Sequence, residues 1–100
     1  MPWMLERGVD RLQLVCSEHL DVYEAARLQQ ALVDLASEPH PIEIDLSRIV
    51  ELDCAALQLL LAFRRTRAAD NLLTTVTLGS GPVLQLLRPL GVDAALSASG

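Results

Sequence analysis

Apolar and polar residues trade places along the chain with two alternating periods. Residues 11–16 alternate strictly, with Leu12, Leu14 and Cys16 pointing one way. That pattern predicts a strand with one buried face. Residues 3–6 fit a short strand before it, with Gly8-Val9-Asp10 turning the chain. Residues 21–36 change to the helical period. Ala25, Leu28, Ala31, Leu32 and Leu35 share one face, and Glu24, Arg27, Gln30 and Asp34 share another. Asp21 is a good N-cap type, and Glu24 stands three residues on, as in a capping box. Glu38-Pro39-His40-Pro41 stops this helix, because proline forbids its continuation.

Residues 41–46 return to strict alternation. Ile42, Ile44 and Leu46 face one side, Glu43 and Asp45 the other. This predicts a sheet covered by helices on one face and partly wet on the other. A second helix is expected from Asp53 to about Ala69. Its apolar residues Ala56, Leu57, Leu59, Leu60, Leu61 and Phe63 cover more than half its circumference. A single sheet contact needs a stripe of only about 100°. The surplus must bury against neighbouring helices or against a partner. Asp70-Asn71 reads as a turn, and residues 73–78, rich in β-branched side chains, as a strand. Gly79-Ser80-Gly81-Pro82 then opens a third helix bearing Val83, Leu86, Leu87 and Leu90. Pro89-Leu90-Gly91 ends it, and residues 92–96 add a last helical turn. Strand and helix thus alternate three times, which argues for right-handed crossovers and a mainly parallel sheet. The N-terminal strand would add an antiparallel edge.

One hundred residues make one ordinary domain. The expectation is a single domain over 1–100, with its core at about 9–96 and loose ends at 1–2 and 97–100. Apolar residues are 51% of the chain, and Trp3, Tyr23 and Phe63 are its only aromatics, so the core is aliphatic. Eight arginines, no lysine and 13 acidic residues leave a charge of −5. Such a chain lacks the basic footprint that nucleic acid demands. Arg64, Arg65 and Arg67 read as a charged helix end, where cations favour the dipole. The N-terminus has no signal-peptide pattern, and the longest apolar run, 54–63, is too short to span a membrane. Cytoplasmic location with reduced thiols is the expectation, with no direct membrane insertion.

No catalytic constellation emerges. Gly79-Ser80-Gly81 lacks the glycine and lysine of a phosphate loop. His19 and His40 read as loop residues without metal-ligand spacing to the cysteines. Glu43 and Asp45 share a strand face, which suits an acid–base pair or, more simply, a solvated sheet face. Cys54 follows Asp53 at a helix start, where the dipole lowers a thiol pKa but the adjacent carboxylate raises it. No cofactor or metal is expected.

Ile44-Asp45-Leu46-Ser47, then Leu52-Asp53-Cys54-Ala55-Ala56-Leu57, resembles the signature of STAS domains, the family of bacterial anti-sigma factor antagonists. The resemblance extends over nearly the whole chain. It implies a four- to five-stranded, mostly parallel sheet with an antiparallel N-terminal edge and helices mainly on one face. It further implies a non-enzymatic protein-binding module whose contact surface is the loop and helix start at residues 53–57. Asp53, Cys54, Ala55, Ala56 and Leu57 are therefore candidate partner-binding residues, with Asp21 and Tyr23 beside them. In the family a switch kinase phosphorylates the second residue after the aspartate. Here that residue is Ala55, which has no hydroxyl, so no phosphorylation is expected at the usual site. The partners implied are an anti-sigma factor or switch kinase, a chemotaxis-type signalling protein, or the ATPase of a lipid-transport ABC complex. A homodimer through the wide apolar face of the second helix is a further expectation.

Overall fold

A computed structural model of the chain describes residues 3–77. The predicted third helix, its entry loop, the last helical turn and both loose ends lie outside the described residues. Six elements follow in order: β1 (Trp3–Arg7), β2 (Leu12–Leu20), α1 (Val22–Leu35), β3 (Ile42–Leu52), α2 (Cys54–Ala69) and β4 (Thr74–Thr77). The strands form one four-stranded sheet in the order β1-β2-β3-β4. β1 runs antiparallel to β2, while β2, β3 and β4 are parallel. The antiparallel N-terminal edge and the parallel body match the expectation from alternation.

The alternating residues face as their period requires. Leu12, Leu14 and Cys16 of β2 and Ile42, Ile44 and Leu46 of β3 are buried. They meet Leu28, Leu32 and Leu35 of α1 and Ala56, Leu57, Leu60 and Phe63 of α2 in one core. Leu59 and Leu61, part of the surplus on the second helix, are half-buried against that core. Both helices of the described residues thus pack on the same sheet face.

The predicted cap at Asp21 holds, with one difference, and the second helix, expected to start at Asp53, is capped by that residue instead. Asp21 is extended, and its Oδ1 accepts from Glu24 N at 3.0 Å. The reciprocal half of the capping box does not form: Glu24 Oε2 is buried with no hydrogen-bond partner among the described residues. Asp53 caps α2, its Oδ1 accepting from Ala55 N at 2.9 Å. Asn71 closes the turn after α2 with a φ of 59°, which asparagine tolerates better than most residues.

Three sequence expectations are corrected. β3 does not stop at Leu46 but runs six residues further, to Leu52. Between Val15 and Ser17 the β3 register jumps from Asp45 to Arg48, and between Glu18 and His19 from Ile49 to Glu51. Each jump inserts one extra residue into β3, a bulge that breaks the period of two. Asp45 braces the first, its Oδ1 accepting from Ser47 N at 2.9 Å and Ser47 Oγ at 2.6 Å. Glu18 stands at the second with a φ of 63°. His19 therefore sits in a strand, not a loop.

The third correction is Arg67, read from sequence as part of a charged helix end. It is fully buried. Its Nε donates to Thr74 Oγ1 at 2.7 Å. Nη1 donates to the carbonyls of Leu35 and Glu38, at 3.1 and 2.8 Å. Nη2 donates to those of His40 and Leu73, both at 3.0 Å. One guanidinium thereby ties the end of α1, the turn after it, α2 and β4 together. Burial lowers its pKa, opposed by the nearby Glu38 carboxylate.

Candidate functional site

The C-terminal ends of β2 and β3 lie side by side and hand the chain to α1 and α2. Asp53 N donates to Leu20 O at 2.8 Å, so the two helix starts are tied together through the sheet. The parallel arrangement places both capping carboxylates, Asp21 and Asp53, at one end of the fold. The positive ends of two helix dipoles meet there as well.

Five of the seven candidate residues are displayed at this end. Asp21, Asp53, Cys54 and Ala55 are exposed, and Tyr23 is 84% exposed. The other two are not. Ala56 is 0% and Leu57 9% exposed, and both pack in the core. The helical period explains the division: positions 53–55 face out over the first turn, and 56–57 turn in toward the sheet. Ala56 and Leu57 therefore seat the helix start rather than present a surface.

Sequence reasoning missed several neighbours. Val22 and Val50, 56% and 55% exposed, flank the helix starts with apolar surface. His19 Nδ1 lies 3.5 Å from Glu51 Oε2 across the strand ends. Val50 and Glu51 were hidden because the bulges disguised the second half of β3. An exposed valine beside an N-cap was the one available signal.

The remaining chemical candidates resolve into structural roles. Glu43 Oε1 accepts from Gln13 Nε2 at 2.7 Å, and its other oxygen lies 3.7 Å from Arg11. With Asp45 bound to Ser47, the two carboxylates do not form a pair poised for proton transfer. Cys16 is buried, and burial, helped by the Asp45 charge, pushes its thiol up to about 12. Cys54 is exposed beside the cap. His40 Nδ1 lies 2.8 Å from Glu38 Oε1, and that contact lowers the Glu38 pKa. Among the described residues, no cluster of three or more His, Cys, Asp or Glu is placed to hold a metal ion. No helix of the described residues is long and apolar enough to cross a membrane.

The end of the sheet displays an exposed and chemically varied surface. It has an aromatic ring, two valines, a thiol, a methyl group and carboxylates held in fixed positions by their capping bonds. Capping costs each carboxylate one acceptor site but leaves its charge on the surface.

Comparison with known proteins agrees with this architecture. The family model described as "Mlab, STAS domain" matches residues 3–97. The structure is similar to that of an anti-sigma factor antagonist from Mycobacterium paratuberculosis, with a TM-score of 0.79 and 19% identity over 94% of this chain and 80% of that one. It is similar to the anti-sigma factor antagonist SpoIIAA in its unphosphorylated form, with a TM-score of 0.69 and 13% identity over 93% of this chain and 96% of that one. The phosphorylated form of the Bacillus cell fate determinant SpoIIAA gives a TM-score of 0.71 and 15% identity, over 92% and 86%. At these identities the likeness to the solved structures is one of fold. Among curated proteins none matches the chain.

Proposed function

The chain belongs to the STAS domain family, and from that premise we propose that it is a non-catalytic regulatory module that binds a cytoplasmic signalling protein. The module is one domain over residues 1–100, and its contact surface is the helix-start end formed by Asp21, Tyr23, Asp53, Cys54 and Ala55. The observation that carries the reading is the pairing of two aspartate-capped helix starts through the bond from Asp53 N to Leu20 O. That bond holds exposed, chemically varied side chains in one rigid patch. Rigid presentation lowers the entropy cost of docking.

Ala55 defines how the module would be controlled. It is exposed on the first turn, its N–H is held by Asp53, and it has no hydroxyl to phosphorylate. A phosphate there would add nearly two negative charges. Without it, binding follows the concentrations of module and partner.

Co-purification with the products of neighbouring genes tests the reading. A stoichiometric complex is expected with an anti-sigma factor or switch kinase, or with a chemotaxis-type protein. Recovery of an ABC ATPase instead would place the module in a lipid-transport complex. Leu57 is a poor probe because its loss damages the core. Tyr23→Ala and Ala55→Arg change exposed positions only. Each is expected to weaken the complex at least ~10-fold, the scale of a contact residue, with unchanged circular dichroism. Full binding by both variants would move the contact surface elsewhere.

A further inference from the structure

The backbone of the helix-start end is irregular in a way that displays apolar side chains. At the second bulge Glu18 pairs with Ile49 and His19 with Glu51, so Val50 has no opposite residue in β2. Val50 is exposed, while Ile49 beside it is buried. A bulge re-aims a side chain in this way. Glu18, at the same point, holds a φ of 63°, a region that favours glycine. Next to these strand ends, Val22 and Tyr23 follow the Asp21 cap and are exposed too. Three exposed hydrophobic side chains thus stand at one end of the fold.

Charge is segregated around them. Residues 18–23 and 50–55 include Glu18, Asp21, Glu51 and Asp53, all exposed, and none of the chain's eight arginines. The two segments are neighbours, joined by the pairing of His19 with Glu51 and of Leu20 with Leu52, and by the bond from Asp53 N to Leu20 O. His19, with Nδ1 3.5 Å from Glu51 Oε2, is the single side chain of these segments that can take up positive charge. Asp21 and Asp53 cannot swing aside, because their capping bonds hold them. Acids and apolar groups are interleaved: Asp21 precedes Val22 and Tyr23, and Glu51 follows Val50.

This arrangement limits what can cover the surface. The carboxylates do not converge on a point: among the described residues no cluster of three or more is placed to hold a metal ion. Nucleic acid and anionic lipid are repelled by the charge. A second copy would bring the same acids and is repelled as well. A wholly apolar partner would dehydrate fixed carboxylates without pairing them, which is costly. A protein segment with cations on either side of an apolar anchor meets every condition. Arginine suits it best, since a guanidinium pairs with a carboxylate and stacks on a ring such as that of Tyr23.

Given the contact surface proposed above, on which this rests, we infer that the partner docks through a basic segment, an apolar side chain flanked by arginine or lysine. The anchor seats among Val22, Tyr23 and Val50, and the cations pair with Asp21, Glu51 and Asp53. Because these charges are exposed, the attraction is strongest at low ionic strength.

Selection of random displayed peptides against the full chain tests this without the natural partner. Enriched sequences are expected to carry Arg or Lys on both sides of an apolar residue. As synthetic peptides they are expected to shift the amide signals of residues 18–23 and 50–55. The triple variant Asp21→Asn/Glu51→Gln/Asp53→Asn removes three charges and keeps both caps, because asparagine caps as well as aspartate. It is expected to weaken peptide binding at least ~10-fold, with unchanged circular dichroism. Raising salt from about 0.05 to about 0.5 M should weaken binding to the natural chain and leave the variant nearly unaffected. Peptides without cations that bind at these segments overturn the basic partner and leave the contact surface standing. So does binding indifferent to the triple variant. Enriched peptides that bind elsewhere on the chain overturn the contact surface itself, and the basic segment with it. An empty selection overturns the basic segment, while co-purification judges the surface separately.

Discussion

The two thiols of this chain have opposite chemistry because one ends a buried row and the other opens an exposed turn. Cys16 is the third inward residue of β2, 0% exposed, with Asp45 nearby to raise its pKa further. Cys54 follows the cap of α2 and faces solvent. A thiol-specific reagent at neutral pH is therefore expected to modify one cysteine in the native protein and two after denaturation. Equal rates in the native state would show that the β2 row is open. The same burial gives a pH dependence with a definite sign. The folded state keeps the Cys16 proton up to about 12, against an ordinary value of 9.0. The unfolded state gives it up first. The stabilisation is complete below pH 9 and is lost as pH rises from 9 toward 12. Urea midpoints between pH 8 and 11 are expected to fall, and Cys16→Ala should flatten the trend. At this scale the Asp21 cap was legible in the sequence, because its residue type and position name its role, whereas Asp53 was read as the first residue of its helix and is its cap. Ala56 and Leu57 were legible only as part of a motif. Which of its residues face out is decided by the helix phase relative to the sheet.

At the scale of elements, Arg67 shows what a pattern of residue types leaves hidden. Its position, two residues from the end of α2, suits a cation at a helix C-terminus, and nothing local distinguishes it from Arg65. The difference lies in what surrounds it. Three carbonyls from residues 35–40, one from Leu73 and the Thr74 hydroxyl converge where α1 ends and β4 begins. Their convergence depends on the whole topology. Burying a guanidinium is costly unless its donors are satisfied, and here five bonds satisfy it. Phe63 adds a ring 5.8 Å from its Cζ. Removing the donor leaves several partly buried acceptors unpaired. Arg67→Met, which keeps much of the volume, is expected to destabilise the fold by about 3 kcal/mol or more. Chemical denaturation measures this directly. Arg65→Met, on the exposed side of the same helix, should change stability by less than about 0.5 kcal/mol. Comparable losses for both would make Arg67 an ordinary helix-end cation. The strands follow the same logic. β2 and the first half of β3 could be read because their alternation is strict. The second half of β3 could not, since its bulges shift the inward phase from Leu46 to Ile49. A period-two reading ends a strand at the first missed beat.

For the described residues as a whole, the sheet order decides which parts hold and which give. β2 and β3 each have a neighbour on both sides, and both contribute inward rows to the core. β1 has one neighbour, and its Met4 and Leu5 are 60% and 38% exposed. An element with one bonded edge and little buried area opens at low free energy. Amide hydrogen exchange is therefore expected to be slowest at Leu14 and Ile44 and at least ~10-fold faster along Trp3–Arg7. Equal protection across all strands would mean that the sheet opens only as a unit. The gradient matters for the binding end, because Asp53 hangs from Leu20 at the far end of the two most protected strands. Docking there acts on a support that does not open with the β1 edge. Loss of β1 pairing should leave the geometry of Asp21, Asp53 and Ala55 intact. The contact surface and the open edge are thus separated by the most stable part of the described sheet, so that changes at β1 should reach stability before they reach binding.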